Sequence, residues 1–150
     1  MPWPVLAQAT TRSRGSRIEG GHVVGGIRVC SKDDLSAGVP TTGMFRGEAT
    51  LGENSCAVEI HTQPGVVSGW HHHGDHVTYG YVISGSLRFE FGPGGEDVVE
   101  VEPGGFFVVP ANTIHREANP AGDEQILVGV RIGSGPTVFN VDGPLGLSHS

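Results

Sequence analysis

The feature that most limits what this chain can fold into is its punctuation. Beyond about residue 44, no alternating or apolar run goes far before a turn interrupts it. Gly52-Glu53-Asn54, Pro64-Gly65, Ser84-Gly85, Pro93-Gly94-Gly95, Pro103-Gly104-Gly105 and Pro110-Ala111-Asn112 each cut the pattern. Helices need longer periodic stretches than these turns leave, and strands do not. Residues 55–63 alternate, with Ala57, Glu59, His61 and Gln63 on one face and Val58, Ile60 and Thr62 on the other. Leu87, Phe89 and Phe91 alternate with Arg88 and Glu90, which predicts one buried face and one wet face. Residues 77–83 are rich in aromatic and β-branched side chains. Residues 106–109 are continuously apolar and predict a strand buried on both faces. Further strands are expected at 26–30, 45–51, 66–73, 99–101, 114–119, 126–132 and 137–141, with a helical turn only at 32–37. Short strands joined by Gly/Pro turns define an all-β sandwich or barrel.

At 150 residues, one domain is the expectation. It divides into an N-terminal arm at 1–21, a domain at 22–144 and a frayed tail at 145–150. Trp3, Val5 and Leu6 in the arm either move freely or pack on a partner subunit. A net charge of -7 argues against nucleic acid and anionic membrane as partners. No apolar run approaches the roughly 20 residues of a membrane span, and the N-terminus lacks the basic-then-apolar order of an export signal. Cys30 and Cys56 lie far apart with no CxxC spacing, so reduced thiols are expected. These features suit a cytoplasmic protein that handles a small molecule.

Chemistry concentrates in His71-His72-His73-Gly74-Asp75-His76, which holds four of the eight histidines. On a strand, His71 and His73 project together and His72 turns the other way. Two imidazoles side by side are half of a transition-metal site. His61 either lines a pocket or lies on the surface, and His22 and His149 carry no assignment.

Around this cluster the sequence resembles the cupins. In the first cupin motif a Gly is followed by His-x-His, a glutamate and a closing Gly. Here Gly65 precedes residues 66–70, then His71-His72-His73, and Gly85 closes the motif. The second motif matches Gly104, Pro110-Ala111-Asn112, His115 and Asn119, with Asn112 in place of the family's middle Gly. Asn is the usual non-Gly residue where the backbone needs positive φ. The resemblance implies a double-stranded β-helix, a jelly-roll barrel with a metal inside, and it implies His71, His73 and His115 as ligands. It also implies a glutamate where this chain has Thr78, a poor ligand for a divalent cation. Two completions stay open: three histidines with water or substrate filling the shell, or His76 as a fourth ligand.

The cofactor implied is a divalent transition metal, iron first, with copper, nickel, manganese or zinc as alternatives. An all-imidazole site leaves the metal's charge to be balanced by substrate, which favours an anionic or enolisable ligand. Substrate-side candidates are Gln63, Thr78, Gly80, Phe107 and Arg131. A missing side chain at Gly80 leaves room in the barrel. Arg131 is either a carboxylate partner or an exposed strand arginine. No second acid–base group stands out. The leading expectation is therefore a cupin dioxygenase that binds an enolate- or catecholate-like substrate and O2. The alternatives are a redox-neutral isomerase or lyase and a non-catalytic binding protein. By analogy with small cupins, a homodimer is expected.

Overall fold

The computed structural model describes residues 17–18, 21–24 and 26–146, so Trp3, Val5, Leu6 and His149 lie outside the described residues. Three short strands, β1 (Arg17–Ile18), β2 (Gly21–Val24) and β3 (Ile27–Val29), form an antiparallel meander. The first strand therefore comes earlier than the sequence pattern indicated, inside the stretch read as an arm. The helical turn expected after it is a single 3-10 turn at Lys32–Asp34. Asp34 accepts from the Ser31 backbone N–H (3.1 Å) and the Ser31 hydroxyl (2.7 Å).

The barrel consists of two antiparallel sheets. One contains six strands in the order β11 (Phe106–Val109), β8 (Val77–Ser84), β13 (Gln125–Ile132), β6 (Ser55–Thr62), β5 (Met44–Gly52) and β4 (Ser36–Ala37). The other contains five: β10 (Asp97–Val101), β9 (Leu87–Phe91), β12 (His115–Ala118), β7 (His71–His72) and β14 (Phe139–Asn140). Their inner faces meet in a core of Val58, Ile60, Val82, Leu87, Phe89, Val101, Val109 and Leu127. Leu87 and Val82 are fully buried. Each such side chain contributes about 1.5–3 kcal/mol relative to exposure.

Side-chain parity decides what the interior receives. On β6, Val58, Ile60 and Thr62 point in, so Glu59 and His61 face out. Gln63 follows them outward, is exposed, and donates to Glu124 (3.2 Å), so it does not line the interior. On β11, Phe107 and Val109 point in, while Phe106 and Val108 are exposed. That strand is an edge strand with one solvent-facing side, and its continuous apolar run does not mean burial on both faces. Residues 66–70 do not form the expected strand: they loop past β12 through a single bridge, Val67 to Ala118, and regular pairing begins at His71.

Two motif positions have purely architectural work. Asn112 adopts φ 56°, the positive value its place in the second motif calls for. Its N–H donates to the Gly74 carbonyl (2.8 Å), tying the turn to the histidine segment. Asn119 is fully buried and donates through Nδ2 to the carbonyls of Thr62 (3.0 Å) and Asp123 (2.7 Å).

Gly80 does not leave a substrate space. The Phe107 ring occupies it: a Cβ added at Gly80 would sit 2.1 Å from Phe107 Cζ. Gly80 pairs with Phe107 on β11 and with Gly129 on β13, so the ring lies over two strands without side chains. Gly80→Ala is therefore expected to lower stability by about 1–3 kcal/mol, the cost of overpacking a filled core. Thermal unfolding reads this directly, and an unchanged midpoint would mean that the ring shifts at no cost.

Candidate metal centre

The ladder brings distant histidines together. His115 on β12 is the direct cross-strand partner of His71 on β7. Opposed residues hold their side chains about 4.5–5.5 Å apart at Cβ. His73 follows His71 by two positions and points to the same side. One ring nitrogen from each of His71, His73 and His115 lies within 4.8 Å of the others, and all three residues are buried. The ring centroids are 4.5 Å apart for His71–His115, 5.0 Å for His71–His73 and 5.2 Å for His73–His115.

Each of the three rings is held from behind. Nδ1–H donates to a backbone carbonyl in every case: Gly69 for His71 (2.8 Å), Thr137 for His73 (2.7 Å) and Thr113 for His115 (2.8 Å). A carbonyl only accepts, so Nδ1 carries a proton, and each ring in its neutral form presents the Nε2 lone pair that a metal ligand needs. His115 Nε2 is buried and has no hydrogen-bond partner. Burial, joined by the Arg131 charge and the other imidazoles, pushes His73 down to about 3. Burial also lowers His115, against the pull of Glu117. Three clustered imidazoles held through Nδ1, with the His115 Nε2 left unpaired, fit a divalent transition metal.

Of the two completions the sequence leaves open, the structure groups three histidines without His76. His76 is buried but outside the three-imidazole group, and it lines neither cavity beside it. Its backbone and ring bend back on the preceding turn: the N–H (3.1 Å) and Nδ1 (3.0 Å) both meet the His73 carbonyl. The turn between His73 and His76 precedes β8, and His76 and Thr78 are both buried. His76→Ala is expected to keep metal content at the wild-type level, and loss of metal in that variant would return His76 to the ligand set. His72 faces outward, stacked on Phe139 with centroids 4.8 Å apart.

A carboxylate is present, from another strand. Glu117 lies two residues after His115, on the same face of β12, and is buried. It lines a cavity of about 40 Å3 with Arg46, Ser68, His71, His73 and Arg131. Burial alone would raise its pKa. The charges of His71, His115, Arg46 and His73 outweigh burial and hold it below the usual value. Arg46 is a permanent cation opposite Glu117, with Nη2 3.8 Å from Oε1. Arg46 is held in turn by the Val39 carbonyl (3.0 Å) and the Thr41 hydroxyl (2.8 Å). Strand parity alone would have found Glu117; the family motif directed attention to Thr78 instead.

Of the substrate-side candidates, Thr78, Phe107 and Arg131 line the interior beside His73, His115 and Glu117. Arg131 is buried, not an exposed strand arginine, and places Nη1 3.4 Å from Glu48 Oε1. A larger, apolar chamber of about 220 Å3, open toward solvent at Phe106 and Val108, also reaches His115 and is lined by Phe89, Phe91, Phe107 and Val109 among others.

Two antiparallel sheets closed around buried histidines define a double-stranded β-helix of the metal-binding type. The Cupin domain family matches residues 58–129, so the chain carries a small cupin domain. Similar solved structures include KdgF from Halomonas sp., at 22% identity and a TM-score of 0.57 over 70% of this chain and 94% of that one. Another is an uncharacterized conserved protein with a double-stranded β-helix domain from Klebsiella pneumoniae, at 21% identity and a TM-score of 0.61 over 76% and 91%. Oxalate decarboxylase from Bacillus subtilis matches at 20% identity and a TM-score of 0.62 over 73% of this chain but only 30% of its own. No curated protein matches. Identities this low establish the fold; the chemistry rests on the residues. Among the described residues no helix is long and apolar enough to cross a membrane.

Proposed function

We propose that this protein is a metal-dependent enzyme that binds an oxygen-chelating small molecule at the open side of the three imidazoles and transfers a proton in a redox-neutral isomerisation or elimination. The observation that carries this reading is Glu117, a buried carboxylate sharing its cavity with His71 and His73. A bound divalent metal would polarise a substrate carbonyl as a Lewis acid. His71, His73 and His115 hold it through Nε2, their orientation kept by the three carbonyls behind them. A Glu117 carboxylate oxygen accepts the proton from the carbon beside that carbonyl and returns it to product. The positive charge around it, Arg46 included, favours the ionised carboxylate. Val58, Ile60, Leu127 and Phe107 line the interior and exclude water.

A second reading, a cupin dioxygenase, draws support from the apolar chamber at His115, which suits O2 and an enolate- or catecholate-like substrate. Iron or copper would accompany it. The two readings part in one experiment. Metal-loaded protein is offered 2-oxo acids, β-diketones and catechols under nitrogen and under air, with proton exchange followed by NMR in D2O and O2 uptake by electrode. Exchange or turnover without O2 supports the redox-neutral reading, and O2 uptake coupled to substrate loss replaces it with the dioxygenase. Binding with no turnover under either gas overturns both in favour of a binding protein.

The outer face of the six-stranded sheet exposes Phe45, Tyr79, Ile83, Phe106, Val108 and Val128. An apolar patch of this kind is a protein-contact surface more often than a solvated one. We propose that a second copy of this chain covers it, in the cytoplasm, where the Cys56 thiol stays reduced. Phe106→Glu is expected to convert a dimer to a monomer in light scattering, and a monomeric wild type would refute the assignment.

A further inference from the structure

Three buried polar atoms in one small chamber lack any partner: His115 Nε2, Thr78 Oγ1 and Arg131 Nε. A metal held by the three imidazoles would account for the first. It would not account for the other two, and each unmade hydrogen bond of a buried group costs about 1–3 kcal/mol. They are neighbours by construction, because Thr78 on β8 is the direct cross-strand partner of Arg131 on β13. Both residues point inward and line the chamber that also holds His73 and His115. Arg131 spends Nη1 on Glu48 (3.4 Å), which fixes the guanidinium but leaves Nε available. A guanidinium N–H beside a hydroxyl is the donor set that recognises a carboxylate.

We infer that the substrate carries a carboxylate, seated between the metal centre and the paired donors Arg131 Nε and Thr78 Oγ1. This rests on the metal-centre reading above and specifies the ligand it takes. Charge supports it. Glu48 and Glu117 offset Arg46 and Arg131, so a bound dication leaves the site with surplus positive charge. Size supports it too. The free space at Thr78 and Arg131 is only about 20 Å3, which admits no more than a small polar group. The remainder of the molecule must extend into the apolar chamber of about 220 Å3, which shares Phe89, Phe107, Val109 and His115 with the inner one. The substrate class is a small carboxylic acid with an apolar or aromatic body.

Benzoate and benzamide, equal in shape and different in charge, are the probes. Metal content is measured first, and both are then titrated calorimetrically into metal-loaded full-length protein. Benzoate is expected to bind at least about tenfold more tightly than benzamide. Thr78→Val, which removes one hydroxyl and no charge, should weaken benzoate about five- to tenfold while benzamide affinity and metal content stay unchanged. Arg131→Lys should weaken it about tenfold or more, since a lysine keeps a charge for Glu48 but loses the Nε donor. Equal binding of the two probes, no benzoate binding at millimolar concentration, or wild-type benzoate affinity in both variants overturns the assignment. If the protein takes up no metal, the metal reading falls by itself. The same titration on the metal-free chain then decides the carboxylate site, with equal binding again overturning it.

Discussion

Replacing His115 by alanine is expected to reduce metal affinity by at least about 100-fold, so that the purified variant carries little or no metal. Changes to residues that only orient a ligand already cost 10- to 100-fold, and His115 stands in the cluster itself. Its Nε2 has no protein partner, its Nδ1 is committed to Thr113, and it lies directly across the ladder from His71. Removing the ring deletes the ligand contributed by β12 and leaves His71 and His73 as a two-point site. It also opens a cavity against Phe89, whose ring centroid is 5.6 Å away, at a cost of a few kcal/mol in stability. His115→Gln keeps more of the volume and separates the two effects: it should lose metal with a smaller drop in melting temperature. Elemental analysis of both variants beside wild type is the measurement. Wild-type metal content in folded His115→Ala would show that the three imidazoles are not the site.

What was legible in advance was what short-range pattern controls. Alternation along β6 and β9 sorted side chains between two faces, and Gly/Pro spacing located the turns. The two motifs named three histidines that the fold does bring together, and Asn112 takes the backbone angle its motif position demands. Parity sorts residues between two faces without saying which is inside, so Gln63 was read inward when it points out. Hydrophobicity alone made β11 look buried on both faces, because an edge strand covered on one side has the same composition. Gly80 was read as space because sequence does not show that Phe107, on a strand paired with it, fills the gap. The i, i+2 rule that joins His71 to His73 also joins Glu117 to His115, but parity alone gives a carboxylate no role. Its significance depends on Arg46, which lies on a strand of the other sheet.

Arg46→Met is expected to destabilise the metal-free protein by about 3 kcal/mol, near the cost of breaking a buried ion pair by removing one member. The guanidinium is a permanent cation 3.8 Å from the Glu117 carboxylate, and both side chains are only 10% exposed. Without it the carboxylate has to stay charged with no compensation or take up a proton, and either choice costs folding free energy. Methionine fills most of the lost volume, so the change reports charge more than packing. A bound dication supplies positive charge on the other side of the same cavity, where Glu117 is grouped with His71 and His73. The penalty should therefore be smaller in the metal-loaded protein, and metal should raise the melting temperature of Arg46→Met by more than that of wild type. Glu117→Gln removes the need for compensation, so adding it to Arg46→Met should recover part of the lost stability. Urea denaturation of the four proteins, with and without metal, measures each term. An Arg46→Met penalty of the same size in both states would mean that Glu117 and the metal centre do not share one electrostatic site. Reading Glu117 as the carboxylate that works beside the metal would then fail, while the three-histidine cluster would stand.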